Sequence, residues 1–481
     1  MSECRRGKDI EARFQQCVAQ LTSCGQEHVL RWWDDLDSTS REHLLDEIDS
    51  ISWSQLAPLV ETHVLNKPKD DTPTDLEPAR VYPRVPDAEQ AGSYEEATAH
   101  GRELIRAGKV AAFTVAGGQG TRLGFDGPKG AVPVSPIRNK TLFQLFAEAI
   151  AAARERYAAG IRWYVMTSPA NREQTETFLR NHDFFGLPPE DIVLFSQAML
   201  PSFDLDGKVL MEDKHRLALA PDGHGGSLKA LVVGGALSDM QSRGIEILSY
   251  FQIDNPLVKP LDPLFIGLHA KTGSEMSTKI TPKAEDLERV GNVCMHKGRV
   301  VVIEYSDFPD DLAHAKNADG SRKFDVGNLA MHLLDVAFVD RIIARQFQLP
   351  YRRAEKAVAF VDDQGVRQTP QAPNAVKLET FVFDALPLAK NAMLLEIDRA
   401  EEFSPVKNPN GVDSLESAVR DQIRRAARWL ESAGVTIPRQ PDGEPDATLE
   451  IAPSYALDAE DVKDHEPRPP HVNSGENVYL V

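Results

Sequence analysis

A chain of 481 residues is longer than a single hydrophobic core usually supports, so more than one domain is expected. Hydrophobic residues at 42% and charged residues at 26% supply apolar surface for large cores and exclude disorder as the default state. A formal charge of −19, from 54 basic and 73 acidic side chains, argues against nucleic acid and anionic membrane as partners and gives weight to any Lys or Arg inside a motif.

The first hundred residues read as helical. GQEHVLRWWDDLDSTSREHLLDEIDSI sets Val29, Leu30, Trp33 and Leu36 on one stripe and Leu44, Leu45 and Ile48 on another, with a Ser or Thr of STSREHLL as the N-cap between them. LNKPKDDTPTDLEPARVYPRVPDAEQ follows as a proline-rich, charged connector. From about residue 99 strands and helices alternate. KVAAFTVA is a buried strand, and TLFQLFAEAIAAARERY is a helix with a Thr141–Gln144 capping pattern. IRWYVMTS and DIVLFSQ are strands flanking a helical NREQTETFLRNHDFFG. GSLKALVVGGALSDMQSRG reads as one helix leading into the strand IEILSYFQIDN. RVGNVCMHKGRVVVIEYSD reads as a hairpin turning at Lys297 and Gly298. AVKLETFVFDAL and AMLLEIDRAEEFSPVKN return to the α/β pattern, and SLESAVRDQIRRAARWLESAG is a last helix before a Pro- and Asp-rich tail.

This order implies a mixed, mostly parallel sheet of Rossmann-like α/β class, with helices on both faces and ligands beyond the carboxyl ends of the strands. The expected division is an N-terminal helical region over 1–98, a catalytic domain over 99–400 and a small C-terminal domain over 401–481. Cys4, Cys17, Cys24 and Cys294 form no CxxC pair and have no zinc-like histidine spacing, so free thiols in a reducing cytoplasm are expected. MSECRRGKDIEARFQQ lacks the apolar core of a secretory leader, and no run approaches the ~18 apolar residues that span a bilayer.

The chemistry centres on AGGQGTRLG, residues 116–124, directly after the strand VAAFTV. Gly117, Gly118, Gly120 and Gly124 let backbone amides approach an anion without Cβ interference. The turn fails the dinucleotide fingerprint, because Leu123 stands where the third glycine belongs. It also fails the Walker P-loop, because its nearest lysine, Lys129, follows Pro128. A tight turn without ligand is the alternative. The continuation TRLGFDGPKG adds Arg122 and Lys129, two cations suited to holding phosphates and stabilising a departing pyrophosphate.

AGGQGTRLG followed by PKG resembles the signature of the eukaryotic-type UDP-sugar pyrophosphorylases, and most that of the UDP-N-acetylglucosamine branch, to which Gln119 and TRLG point. The likeness continues in order through YVMTS, FSQAMLP, APDGHGG, IDNPLVKPLDPLFIG, VVIEYSD, GNLAMH, KLETFVFD and EFSPVKN, roughly residues 25 to 455. It implies a nucleotidyltransferase fold and a transfer from UTP to N-acetylglucosamine 1-phosphate, giving UDP-N-acetylglucosamine and pyrophosphate. Expected partners are UTP, an N-acetylhexosamine 1-phosphate, the UDP-sugar and pyrophosphate, in a monomer or weak homo-oligomer. The rival readings are a sister enzyme for glucose, galactose or N-acetylgalactosamine phosphates and a non-catalytic nucleotide-sugar sensor.

The resemblance assigns catalysis to Arg122, Lys129 and Lys407. It assigns nucleotide binding to Ala116, Gly117, Gly118, Gly120, Gln197, Gly223 and His224, and sugar binding to Gly225, Glu304, Asn328, Phe383 and Lys377. Asp254 is the implied ligand of Mg²⁺, with Mn²⁺ as the alternative ion. The residues themselves also admit structural roles: an N-cap for Asp254, a polar strand end for Gln197, a helix cap for Asn328 and a core aromatic for Phe383. His224 departs from the family, which usually carries Asn there, and this bears on sugar preference.

Overall fold

Four apolar runs become four neighbouring parallel strands. Val110–Val115, Trp163–Thr167 and Ile192–Ser196 pair in chain order, and Ile247–Gln252 joins on the other side of Val110–Val115. The strands covered on both faces are buried along nearly their whole length, which is why they read as continuous apolar runs; Ile192–Ser196, at the edge, is only partly buried. In this computed structural model, residues 2–67, 72–345, 348–465 and 471–481 are described.

Antiparallel strands extend the sheet. Val326–Asp335 pairs with Ile247–Gln252, Met276–Pro282 pairs with Val326–Asp335, and Ala392–Glu396 runs parallel to Met276–Pro282. The expected hairpin forms between Asn292–His296 and Arg299–Ile303, with Lys297 at φ 47° and Gly298 at φ 74°. Two consecutive positive φ values are what a tight two-residue hairpin turn requires. Helix Leu142–Tyr157 starts at Thr141, whose hydroxyl accepts the Gln144 N–H at 3.2 Å. The Gln144 side chain bonds Glu148 instead of returning to the cap, so only half of the capping box forms. Helices Ala91–Arg106 and Pro263–Lys271 pack backbone to backbone. A Cβ on Gly267 would lie 1.7 Å from the Ala97 oxygen, and one on Gly101 1.9 Å from the Pro263 oxygen.

Three local expectations are corrected. GSLKALVVGGALSDMQSRG is two helices, Gly226–Val233 and Ala236–Arg243, broken where Gly235 takes φ 74°. The stripe of Val29, Leu30 and Trp33 is carried by two 3₁₀ turns, Glu27–Leu30 and Trp33–Asp35, with Leu36 just beyond them in extended backbone. Helix Ser38–Asp49 is capped by Asp37, whose carboxylate accepts the Ser40 N–H at 2.8 Å, and not by a residue of STSREHLL.

The chain divides into two units. One comprises Met1–Asp71, Gln197–Gly226 and Leu349–Val382; the other comprises Thr72–Ser196, Ser227–Gln348 and Phe383–Val481. These cut across the segments expected from sequence, because residues 197–226 and 349–382 fold with the N-terminal helices. The first unit has a core of Leu21, Leu44, Leu45, Ile48, Trp53, Phe203, Val376 and Leu378. Its sheet joins Arg352–Lys356, Ala375–Glu379 and Phe203–Asp204, so AVKLE belongs to this small sheet and not to the main one. The second unit holds the ten-stranded sheet. Its C-terminal part packs helix Leu415–Ser432 against the parallel pair Ala447–Ile451 and Glu476–Leu480. Among the described residues no helix is long and apolar enough to cross a membrane.

Candidate active site

Strand Val110–Val115 is where the sheet order reverses, since Trp163–Thr167 and Ile192–Ser196 step outward on one side of it and the later Ile247–Gln252 joins on the other. A crevice opens beyond the strand ends at such a switch point. The register pairs Val115 with Gln252, so Ala116 and Gly117 leave one strand beside Ile253 and Asp254 leaving the other. The Ile253 N–H donates to the Val115 oxygen at 3.1 Å.

The glycine turn is held from behind by a residue that sequence reading missed. Asn171 is fully buried, and its amide donates to the Ala116 and Gly118 oxygens at 2.9 and 3.1 Å. Its side-chain oxygen accepts from the N–H and hydroxyl of Ser168. In SPANREQ an asparagine before a helix reads only as a cap, so its grip on a distant turn left no local signal. Gly120 is required by packing, because a Cβ there would meet the Phe125 side chain at 2.8 Å. Gly118 is not: a Cβ would meet nothing within 4 Å, leaving its exposed face open to a ligand. Beside it, the Gln119 side-chain oxygen is buried without a hydrogen-bond partner.

The turn closes onto the lysine. The Lys129 N–H donates to the Gly118 oxygen at 3.1 Å, and Gln119 and Pro128 form a bridge. The Lys129 ammonium stands 3.8 Å from an Asp254 carboxylate oxygen, with both side chains mostly buried. Arg122 sits exposed in the 3₁₀ turn Thr121–Leu123, with no ion-pair partner among the described residues. The third expected cation comes from the far end of the sequence. The Val406 N–H donates to the Asp254 main-chain oxygen at 2.8 Å, which sets Lys407 next to the strand end. This unit thus brings together Ala116, Gly117, Gly118, Gly120, Arg122, Lys129, Asp254 and Lys407.

Glu304 and Asn328 lie side by side in the same unit. A Cβ on Gly291 would come 3.5 Å from a Glu304 carboxylate oxygen and 3.7 Å from the Asn328 Cβ. The Asn328 side-chain oxygen accepts from Thr278 and from the Ala330 N–H. Phe383 is buried at 4% exposure, in keeping with its core reading.

The remaining expected residues lie in the other unit. Gln197 is buried just past strand Ile192–Ser196. In the turn around PDGHGG, a Cβ on Gly223 would lie 2.3 Å from the Thr380 oxygen and one on Gly225 2.7 Å from the Phe381 N–H nitrogen. These glycines therefore answer to close backbone packing as well as to any ligand. Lys377 lies on strand Ala375–Glu379, where burial pulls its pKa down against the opposing pull of Glu379.

His224 stacks on Phe381 with ring centres 5.1 Å apart and planes 10° from parallel, and its Nδ1 accepts the Val382 N–H at 3.2 Å. Burial, and then the charge of Arg352, push its pKa down from 6.5 to about 4. A proton that the unfolded chain binds below pH 6.5 is resisted by the folded one. Stability therefore falls as pH drops from 6.5 towards 4, by at most about 1.4 kcal/mol per pH unit from this side chain. Between pH 6.5 and 4.5, thermal melting of His224→Asn is expected to fall less steeply than that of the parent chain; parallel falls would remove the assignment.

A strand-end glycine turn closed by a lysine onto a neighbouring strand-end aspartate, at the switch point of a parallel sheet, defines a nucleotide-binding α/β protein of the nucleotidyltransferase class. A profile of the UTP–glucose-1-phosphate uridylyltransferase family matches residues 66–422, and the chain belongs to this family. It is 36% identical to the UDP-N-acetylhexosamine pyrophosphorylase-like protein 1 of Mus musculus over 473 residues, 92% of each chain. It is 35% identical to the UDP-N-acetylglucosamine pyrophosphorylase of Saccharomyces cerevisiae, covering 86% of this chain and 90% of that one. The solved structure of the Trypanosoma brucei UDP-N-acetylglucosamine pyrophosphorylase in complex with inhibitor matches at a TM-score of 0.81 and 25% identity, covering 98% of both chains. The fold class and family expected from the sequence both hold.

Proposed function

We propose that the chain transfers a uridylyl group from UTP to N-acetylglucosamine 1-phosphate, releasing UDP-N-acetylglucosamine and pyrophosphate. The observation that carries this reading is the register that sets the glycine turn, Lys129 and Asp254 around one strand-end crevice. A phosphate oxygen of the sugar phosphate attacks the α-phosphorus of UTP; that P–O bond forms as the α–β anhydride bond breaks, and pyrophosphate leaves with the bond electrons. The attacking oxygen is already anionic, so no general base is required. What remains for the protein is in-line alignment and neutralisation of the charge gathering on the leaving group. The amides of the glycine turn hold the triphosphate, while Lys129, Arg122 and Lys407 offer it positive charge.

Asp254 is the residue that would hold Mg²⁺ or Mn²⁺. Among the described residues no three Asp, Glu, His or Cys side chains converge into a protein cage. A lone strand-end carboxylate suits a hard cation that takes its other oxygens from phosphates and water. Such an ion supplies charge neutralisation between phosphate groups. Glu304 and Asn328 are proposed for the sugar hydroxyls, and the roles of Gly225, Phe383 and Lys377 toward the sugar rest on the family resemblance alone. Gln197, Gly223 and His224 are proposed for the uridine. The free thiols of Cys17, Cys24 and Cys294 suit a reducing, cytoplasmic setting.

The test is pyrophosphate release from UTP across a panel of sugar 1-phosphates. Release is expected with N-acetylglucosamine 1-phosphate at the highest kcat/KM. Release only with glucose 1-phosphate would overturn the sugar assignment, and release with no sugar would favour the sensor.

A further inference from the structure

A lysine in the middle of a strand ordinarily carries its ammonium to water. Lys279, in MSTKITP, does the opposite: its side chain is 2% exposed, and its Nζ lies 2.6 Å from Asp262 and 2.5 Å from Glu402. Asp262 caps helix Pro263–Lys271, and Glu402 ends the short helix Arg399–Glu402. Burial works against the Lys279 charge, but the two carboxylates outweigh it and raise the ammonium pKa. Apolar side chains of similar volume often stabilise a core as well as such a cluster does, so stability alone does not account for these charges.

What the cluster holds is the segment that carries Lys407. From Glu402 onward, three anchors lead to the carboxyl end of strand Ile247–Gln252, and a fourth, the Ser404 hydroxyl donating to Asp421 at 2.8 Å, leads to helix Leu415–Ser432. The Glu402 oxygen accepts from the Asn255 amide at 2.7 Å, the Ser404 N–H donates to the Asn255 side-chain oxygen at 2.9 Å, and the Val406 N–H donates to the Asp254 oxygen. Beyond Lys407 the chain is pinned again, because the Lys407 and Asn408 N–H groups both donate to the Asp413 oxygen. Asp413 sits at φ 56°, a left-handed conformation that Asp tolerates better than most residues with a side chain.

We propose that the buried Lys279–Asp262–Glu402 cluster is a positioning device for the transfer reaction, fixing Lys407 against the strand end that presents Asp254. The three residues touch no reacting atom; they act through Lys407. The inference rests on the reading that Lys407 reaches the phosphates, which Lys407→Ala tests by itself: an unchanged kcat in that variant would sink the reading, whatever the cluster does.

Glu402→Gln is expected to lower kcat about tenfold, a modest part of what a small misplacement of a phosphate-binding group costs, with the UTP KM within twofold of the parent. Because this variant can lose stability, the pair Lys279→Met with Glu402→Leu is the control. It removes one charge of each sign, while Asp262 keeps the Leu264 and Phe265 N–H groups on its Oδ1 and the charge of Lys259 nearby. That double variant is expected to melt near the parent temperature while kcat stays about tenfold low. A double-mutant cycle completes the test. Placed on Lys407→Ala, Glu402→Gln should change kcat less than twofold, since its effect is already spent. A parent-like kcat in the folded double variant, or a full tenfold cost in the Lys407→Ala background, would overturn the proposal.

Discussion

Lys129→Ala is expected to lower kcat for pyrophosphate release by on the order of 10²–10³, the loss seen when one preorganised donor to developing charge is removed. The main chain that carries the ammonium is fixed by its own loop: the Lys129 N–H bonds the Gly118 oxygen, and Gly130 packs so tightly that a Cβ there would lie 2.2 Å from the Phe143 ring. The cation is therefore carried on a well-held main chain, with its side chain mostly buried. Its interaction strengthens as negative charge builds on the leaving pyrophosphate, so kcat should fall further than UTP affinity. The effect on folding is separate and small. The Lys129–Asp254 contact is a single ion pair at 3.8 Å, beyond hydrogen-bonding distance, so its loss should cost less than the about 3–5 kcal/mol of breaking a close buried pair. Initial rates, UTP saturation curves and thermal melts of one preparation check both halves of the expectation. A folded variant with an unchanged rate would remove Lys129 from the chemistry.

The same geometry shows why this half of the site was legible in the sequence. A buried strand declares itself by an unbroken apolar run, a phosphate turn by its glycines, and the two are adjacent in the chain. Lys129 and Asp254 could be named as residues because each stands in a short motif at a strand end. Their proximity is another matter, since it depends on Ile247–Gln252 choosing Val110–Val115 as its partner across more than a hundred residues. Local pattern carries no such register. The same limit explains AVKLE, whose alternation marks a strand but not which sheet takes it. The 3₁₀ turns around Val29 and Trp33 were misread for a different reason: their apolar spacing fits a helix, while the burial is satisfied by two tight turns. Lys279 was invisible altogether. A lysine between Thr278 and Ile280, in a run that also holds serine and proline, reads as a solvated strand residue until the fold brings Asp262 and Glu402 to it. Asn171 shows the same failure on a smaller scale, a cap-like residue whose partners lie some fifty positions earlier.

Asp254→Asn keeps the shape of the side chain and leaves the main-chain oxygen free to accept the Val406 N–H, so the segment carrying Lys407 should stay in place. Only the negative charge is lost. If Asp254 serves as the protein's carboxylate for a divalent cation, the Mg²⁺ concentration giving half-maximal rate should rise at least about tenfold. The limiting rate should fall by on the order of 10² or more, the scale of losing a principal electrostatic contact. Mn²⁺ binding in the presence of UTP, followed by water-proton relaxation, gives a readout that needs no turnover and should weaken in step. The alternative role is that Asp254 acts chiefly by orienting the Lys129 ammonium it faces at 3.8 Å. That role predicts a lowered kcat with an unaltered Mg²⁺ requirement and unaltered Mn²⁺ binding. The two outcomes separate because one charge cannot be both the cation's anchor and dispensable to its affinity. Finding the second would leave the transfer reaction assigned to Lys129, Arg122 and Lys407 and withdraw the metal from Asp254.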